Sequence, residues 1–330
     1  MKKSSRLIAL LLTLFVVATS AILDDLPLDD DDDLELYYYR RSCPKLEKII
    51  HDKVSAWMKN DYSIGPALMR LHFHDCSVRG CDGSILLDYP GSERMANASK
   101  TLRGFELIDE IKAAVEKVCP KTVSCSDILT AAARDATLNA GGPFWSVPYG
   151  RKDGRVSIAK EADQYVPMGH EKITDLVEFY QSKGLSIVDM VVLSGAHTIG
   201  RSTCGSIQYR LFNYEGTGKP DPSISPKYLN YLRRKCRWAS EYVDLDAETP
   251  KKFDVQYFKN LQNKMGLLKS DQLLYLDSRT KPLVGALASQ SSLFRHQFAA
   301  SMVKLGNIQD YLSADDGEIR VKCSKVNPSK

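Results

Sequence analysis

Among these 330 residues no apolar run approaches the roughly 20 that a helix needs to cross a bilayer, so a protein of several membrane spans is excluded. Polar–apolar alternation is scarce, and Trp145 to Tyr149 is the best short strand candidate. No glycine-rich phosphate loop and no internal repeat is present. Two histidines four apart around a glutamate, the zinc-protease pattern, are absent. Charge of one sign is not in excess: the formal net is +4, so the total does not indicate a basic nucleic-acid binder. Hydrophobic residues at 43% and charged residues at 26% are ordinary values that exclude wholesale disorder and collagen.

Cysteine, by contrast, is plentiful. Eight stand between Cys43 and Cys323, in a chain too long to need disulfides for a core. Lys2, Lys3 and Arg6, then the apolar stretch Leu7 to Ala18, then small residues to Ala21 predict a secretory signal peptide over 1–21. Export makes disulfides the expected state of the cysteines. Residues 22–35 form an acidic segment with five consecutive aspartates, Asp29 to Asp33, which repel one another and are expected to stay solvated. Three basic and eight acidic side chains precede Leu36, a net of −5 that leaves +9 on the remainder. Such a body suits an anionic polymer surface.

The body reads as helices. Leu46, Ile49, Ile50, Val54 and Trp57 keep three- and four-residue spacing, as do Phe105, Ile108, Ile111 and Val115, and Ile173, Leu176, Val177 and Tyr180. Ile128 to Leu138 is Ala-rich and stops at Gly141-Gly142, and Ser186 with Asp189 predicts a capping box before Met190 to Leu193. Further helices are expected over Phe253 to Leu261 and over Val284 to Leu305. The Gly- and Pro-bearing stretch from Gly141 to Pro167 reads as a connector between two helical halves.

Two constellations carry chemistry. In Arg70-Leu71-His72-Phe73-His74-Asp75-Cys76, Arg70 and His74 are four apart and share a helix face, with Phe73 beside them and His72 diverging. A neutral imidazole next to a fixed guanidinium takes a proton while the cation stabilises charge developing on a breaking bond. The following stretch to Ser84 offers Asp75, Asp82, a hydroxyl and turn glycines, an oxygen-rich loop suited to a hard cation, with Cys76 and Cys81 placed to close it. In Leu193-Ser194-Gly195-Ala196-His197-Thr198-Ile199-Gly200 a histidine ends the capped helix, and Asp271, far downstream, is a carboxylate able to accept its other ring N–H.

Together these motifs resemble those of the secreted plant haem peroxidases, class III. Arg103-Gly104-Phe105, Val123-Ser124-Cys125, Gly150-Arg151-Lys152-Asp153, Phe253-Asp254 and the layout of eight cysteines match that family too, so the resemblance covers about Leu36 to Asn327. It implies an all-α fold of two domains, a distal half over about 36–166 and a proximal half over about 167–305, with one non-covalent haem b between them and a C-terminal segment tied back through Cys323. No Cys-x-x-Cys-His motif is present for a thioether-linked haem. By the same resemblance His197 is the axial iron ligand and Asp271 its carboxylate partner, His74 the distal acid–base group, Arg70 the distal cation and Phe73 a haem contact. Two calcium ions are implied: one held by Asp75, Val78, Gly80, Asp82 and Ser84 with Glu93 through water, the other by Thr198, Asp246, Thr249, Lys252 and Asp254. The disulfides implied are Cys43–Cys119, Cys76–Cys81, Cys125–Cys323 and Cys204–Cys236, whereas sequence alone leaves 105 pairings open. Pro167 is the expected substrate contact.

The chain departs from the family in places. Ala98 stands where an asparagine usually holds the distal histidine's tautomer, so Asn97 is expected in that role, although Asn97-Ala98-Ser99 is also a glycosylation sequon. Ser206 and His170 occupy places where aromatic residues often ring the substrate entrance. The resemblance implies peroxide-dependent, one-electron oxidation of phenolic or similar donors by a secreted, monomeric enzyme of the cell wall, with no nucleic-acid or membrane partner. The ending of the chain at Lys330, soon after Cys323, favours the extracellular space over the vacuole. A secreted haem- and calcium-binding wall protein of weak turnover is the alternative.

Overall fold

The computed structural model describes residues 34–309 and 317–328; the expected signal peptide and the acidic segment as far as Asp33 lie outside the described residues. The helices run in chain order as α1 Leu46–Asn60, α2 Ile64–Arg79, α3 Phe105–Glu116, α4 Cys125–Asn139, α5 Ala159–Tyr165, α6 Ile173–Ser182, α7 Ile187–Ser194, α8 Gln208–Phe212, α9 Pro226–Lys235, α10 Gln256–Gln262, α11 Lys269–Leu276, α12 Lys281–Ser289 and α13 Ser291–Gly306. Two three-residue strands, β1 Arg201–Thr203 and β2 Tyr242–Asp244, pair antiparallel with Ser202 opposite Val243. The architecture is the all-α one that the sequence predicts. None of the described helices is long and apolar enough to cross a membrane.

Local chemistry sets the helix starts. Ser124 accepts the Asp127 N–H at 3.1 Å and opens α4, and Ser186 and Asp189 close a reciprocal capping box on α7. Asp153 adds charge at the start of α4: its carboxylate accepts the N–H groups of Cys125 and Ser126 at 3.1 and 2.9 Å, where the helix dipole favours an anion. α2 stops at Gly80, whose φ of 76° is left-handed, so the chain turns sharply into the segment carrying Cys81 and Asp82. Asp75 to Arg79, read from sequence as the start of a loop, are therefore the last turn of α2.

Three other expectations are corrected. The helix expected from Phe253 begins at Gln256, because the Asp254 carboxylate accepts the Gln256 N–H at 2.7 Å and holds the preceding residues out of the helix; Phe253 instead stacks on Phe294. The helix expected over Val284 to Leu305 is two, broken at Gln290 in extended conformation, where the Ser289 hydroxyl caps the carbonyls of Gly285 and Ala286. Trp145 to Tyr149 is not a strand: Tyr149 makes a single bridge with Glu35, and Trp145 packs on Phe298.

The main core draws on both halves of the chain, from Leu46, Ile50 and Val54 of α1 to Phe294, Phe298 and Met302 of α13. A second cluster of Ile207, Leu211, Tyr228, Leu232 and Val243 surrounds the Cys204–Cys236 bond. Where α7 ends, Gly195 lies against the main core: a Cβ there would stand 2.5 Å from Phe294 Cε2 and 2.8 Å from Phe258 Cζ. Both rings are fully buried and cannot yield. Gly195→Ala is therefore expected to destabilise the protein by about 1–3 kcal/mol in chemical unfolding, with an unchanged midpoint as the result that would contradict this packing.

Candidate active site

One full turn of α2 carries Arg70 and His74. Arg70 is fixed from two sides: Nη1 donates to Thr101 Oγ1 at 2.8 Å and Nη2 to the Ala98 carbonyl at 3.0 Å. Burial pushes the guanidinium down to about 10. His74 is 3% exposed, and burial, then the neighbouring Arg70 charge, holds its imidazole well below the ordinary histidine range. It is thus neutral at any physiological pH and able to take a proton. Phe73, partly exposed, sets its ring among Phe179, Tyr180 and His74. His72 faces elsewhere, buried against the Cys76 sulfur.

Asn97 is corrected. Its side chain is exposed, donates to Asp163 Oδ2 at 3.2 Å and accepts from Lys100 Nζ at 2.6 Å; it is not bonded to His74. The short 3₁₀ turn Asn97–Ser99 aims residue 97 outward and the Ala98 carbonyl inward to Arg70. Its exposure is that of a glycan acceptor. His74 Nδ1 and Ser99 Oγ are left as buried polar atoms without partners among the described residues.

The second histidine lies in the 3₁₀ turn Gly195–Thr198 that follows α7. His197 Nδ1 and Asp271 Oδ1 are 2.8 Å apart, so the ring N–H donates to the carboxylate and leaves Nε2 as the basic nitrogen. Asp271 is 2% exposed and also accepts the Leu268 N–H at 3.1 Å and the Tyr257 hydroxyl at 2.9 Å. Tyr257 was missed by sequence reasoning; a buried tyrosine needs a hydroxyl partner, but nothing in the sequence names Asp271 as that partner. The His197 side chain remains 36% exposed although its carboxylate partner is sealed away, which suits a nitrogen that meets a further group.

Oxygen-bearing groups gather in two places. Around α2's end, Asp75 accepts the Gly83 N–H at 3.0 Å and Asp82 the Ser84 N–H at 2.9 Å, while Asp82 Oδ2, Ser84 Oγ and Glu93 Oε2 are buried without hydrogen-bond partners among the described residues. Burial, then neighbouring carboxylate charge, pushes Asp75 well up and Glu93 to about 8. Burial likewise drives Asp82 up to about 6. Unsatisfied oxygens and crowded negative charge are what a divalent ion relieves, so these residues fit calcium. The Val78 carbonyl also accepts from Lys183 Nζ at 3.0 Å. Gly154 is required here, since a Cβ would lie 2.1 Å from Asp82 Oδ2.

Beyond His197, the Thr198 hydroxyl stands 3.4 Å from each of Asp246 Oδ2, the Lys252 carbonyl and Asp254 Oδ1, and the Thr249 hydroxyl lies 3.1 Å from Asp254 Oδ1. One hydroxyl proton cannot serve three acceptors, so this oxygen cage also fits a hard cation. Four disulfides join Cys43–Cys119, Cys76–Cys81, Cys125–Cys323 and Cys204–Cys236, and no cysteine is free. Pro167 is partly buried just beyond α5, and that segment is tied to the Asp271 turn by Ser270 N–H donating to the Gly169 carbonyl at 3.0 Å. Ser206 and His170 are exposed.

A helical fold bearing an arginine–histidine turn and a carboxylate-bonded histidine is what the resemblance to the haem peroxidases implies. The comparisons agree. The family described as peroxidase matches residues 50–290. Peroxidase 7 of Arabidopsis thaliana is 56% identical over 312 residues, spanning 91% of this chain and 89% of that protein. Peroxidase 72 and Peroxidase 15 of the same plant are 45% and 43% identical, each match spanning 88% of this chain. The chain belongs to the peroxidase family, as a plant haem peroxidase: an enzyme that reduces hydrogen peroxide at the expense of a donor.

Because Asn97 bonds only to surface partners, Asn97→Ala is expected to leave the second-order rate with peroxide within about twofold of wild type, a difference below roughly 0.5 kcal/mol. A tenfold fall in stopped-flow kinetics would return Asn97 to the distal pocket.

Proposed function

We propose that this protein is a secreted, monomeric peroxidase that oxidises phenolic or similar aromatic donors one electron at a time in the cell wall. The observation that carries this reading is the paired arrangement: a neutral, buried His74 one turn from a clamped Arg70, and a His197 whose Nδ1 is held by a buried, triply bonded Asp271. One haem b, held through His197 Nε2, would lie between a distal half over about 36–166 and a proximal half over about 167–305.

Haem, when bound, supplies the iron on which peroxide is reduced and which stores the oxidising equivalents. The chain's own residues do the rest. His74 takes the proton from one peroxide oxygen and returns it to the other, which leaves as water. Arg70, fixed by Thr101 and the Ala98 carbonyl, needs no reorganisation to stabilise the negative charge that gathers on the departing oxygen. Asp271 accepts the His197 N–H and raises the basicity of Nε2, while the Tyr257 hydroxyl moderates that effect by sharing the same carboxylate oxygen. The balance is one hydrogen peroxide and two donors, each losing one electron and one proton, giving two waters and two donor radicals. Phe73 lines the haem side of α2, and Pro167 offers its carbonyl to the donor.

Two calcium ions complete the assignment, one in the Asp75–Asp82–Ser84 cage with Glu93 and one in the Thr198–Asp246–Thr249–Lys252–Asp254 cage. The second cage begins at the residue after His197, so the ion there couples to the orientation of the ligand.

Peroxide-driven oxidation of guaiacol by the haem- and calcium-loaded protein tests the reading; a normal haem absorption spectrum without turnover would instead identify a wall protein that binds haem and calcium. His74→Ala is expected to retain haem and slow the peroxide step by roughly 10²–10⁴-fold. His197→Ala is expected to lose stable haem ligation. Chelation of calcium is expected to lower the unfolding temperature, since an ion bound only to the native state stabilises it, and to disturb the haem spectrum; neither change after complete removal would reject the cage assignments.

A further inference from the structure

A strongly cationic stretch follows the second histidine motif by 26 residues. Residues 226–238 hold Lys227, Arg233, Arg234, Lys235 and Arg237 and no acidic residue. Lys227, Tyr231 and Arg234 fall on one face of α9, at i, i+4 and i+7. Arg233 is occupied: it donates to the Leu211 carbonyl at 2.7 Å and covers the Phe212 ring. Lys227, Arg234, Lys235 and Arg237 are exposed and make no ion pair among the described residues.

Beyond α9 the chain presents an aromatic residue that packing does not explain. Trp238 is 71% exposed. Its loop is nevertheless held: Cys236 is bonded to Cys204, the Gly205 N–H donates to the Ala239 carbonyl at 2.9 Å, and the Glu241 carboxylate accepts the N–H groups of Arg237 and Trp238 at 2.7 and 2.8 Å. Glu241 thereby spends its charge on backbone donors of the same loop. Tyr242, 49% exposed, follows on β2 with the Arg201 guanidinium 5.4 Å from its ring centre. An exposed indole on a tethered loop thus directly follows a run of exposed, unpaired cations.

We infer that α9 and the loop 236–242 bind an acidic polysaccharide, a polymer of uronic acids. Each unit of such a polymer carries one carboxylate and one flat apolar ring face. The guanidinium fork matches the first, and the exposed face of the Trp238 indole matches the second. A lipid surface is the poorer fit, because Tyr228 and Leu232 of α9 are buried in the second core and no aliphatic face is left to enter a bilayer. The inference rests on the reading of the chain as exported to a polysaccharide matrix, and it gives the +9 body a located contact.

Calorimetric titration of the haem- and calcium-loaded protein with a defined-length oligogalacturonide tests it, alongside the methyl-esterified oligomer, dextran sulfate and phosphatidylserine vesicles. Lys227→Gln/Arg234→Gln/Arg237→Gln is expected to weaken oligogalacturonide binding by roughly 10–100-fold and to flatten the dependence of log K on log salt by roughly two to three. Trp238→Ala is expected to weaken it roughly tenfold with the salt slope unchanged. Guaiacol turnover should be unchanged in both variants, and the methyl ester should bind far more weakly. Wild-type affinity in the triple variant would overturn the inference. So would tighter binding of dextran sulfate with no effect of Trp238→Ala, which marks plain ion exchange, or tighter binding of vesicles. Binding that appears only after removal of the residues before Leu36 would assign the surface to the chain's own acidic segment. Loss of turnover in the wild type with binding intact would fail the enzyme reading and leave this one standing.

Discussion

A carboxylate in an apolar interior must be met by donors, and Asp271 is where this structure meets that demand. Its three donors come from three places: the 3₁₀ turn after α7, α10, and the backbone that opens α11. Satisfying one side chain therefore fixes the relative positions of three elements. The orientation of His197 follows from this, and so does the tautomer that leaves Nε2 basic. The Ser270 N–H, next to Asp271, extends the same joint to Gly169 and so to the segment after Pro167. Removal of the carboxylate would leave a buried hydroxyl, a ring N–H and a backbone N–H unpaired at once.

The distal side applies the same rule in reverse. There the excess is of acceptors, with Asp75, Asp82 and Glu93 crowded where few protein donors reach. A cation is the economical answer, because one small ion meets several oxygens that side-chain donors could not all reach. The two histidines thus sit beside opposite solutions to charge burial. His197 leans on a carboxylate saturated by protein donors, and His74 precedes a carboxylate crowded by others of its own sign.

Helix faces were legible because burial repeats every three to four residues, and starts were legible where a hydroxyl and a carboxylate stand three apart, as at Ser186 and Asp189. Phe253 misled because its burial is real while the helix begins only after Asp254, whose carboxylate accepts the Gln256 N–H. The strands β1 and β2 are too short for alternation to register; the Cys204–Cys236 bond and the loop it closes set their pairing. Asn97 was misplaced because in a 3₁₀ turn a shift of one residue turns a side chain about a third of a circle, from pocket to solvent. The His197–Asp271 contact spans 74 positions, and no local pattern encodes it. What named both residues was the order and spacing of motifs shared with a family.

The C-terminal segment gives the molecule a direction in time. The Cys81 N–H donates to the Ile308 carbonyl, the Arg320 guanidinium reaches the Gly83 carbonyl, and Cys323 is bonded to Cys125 at the start of α4. The oxygen-rich pocket of Asp75, Asp82 and Glu93 is therefore walled by residues more than 200 positions further along the chain. A chain still growing on the ribosome has the ligands of that cage but not the groups that hold them in place. The cage, the disulfide and the neighbourhood of His74 are consequently completed together, once that segment is in place.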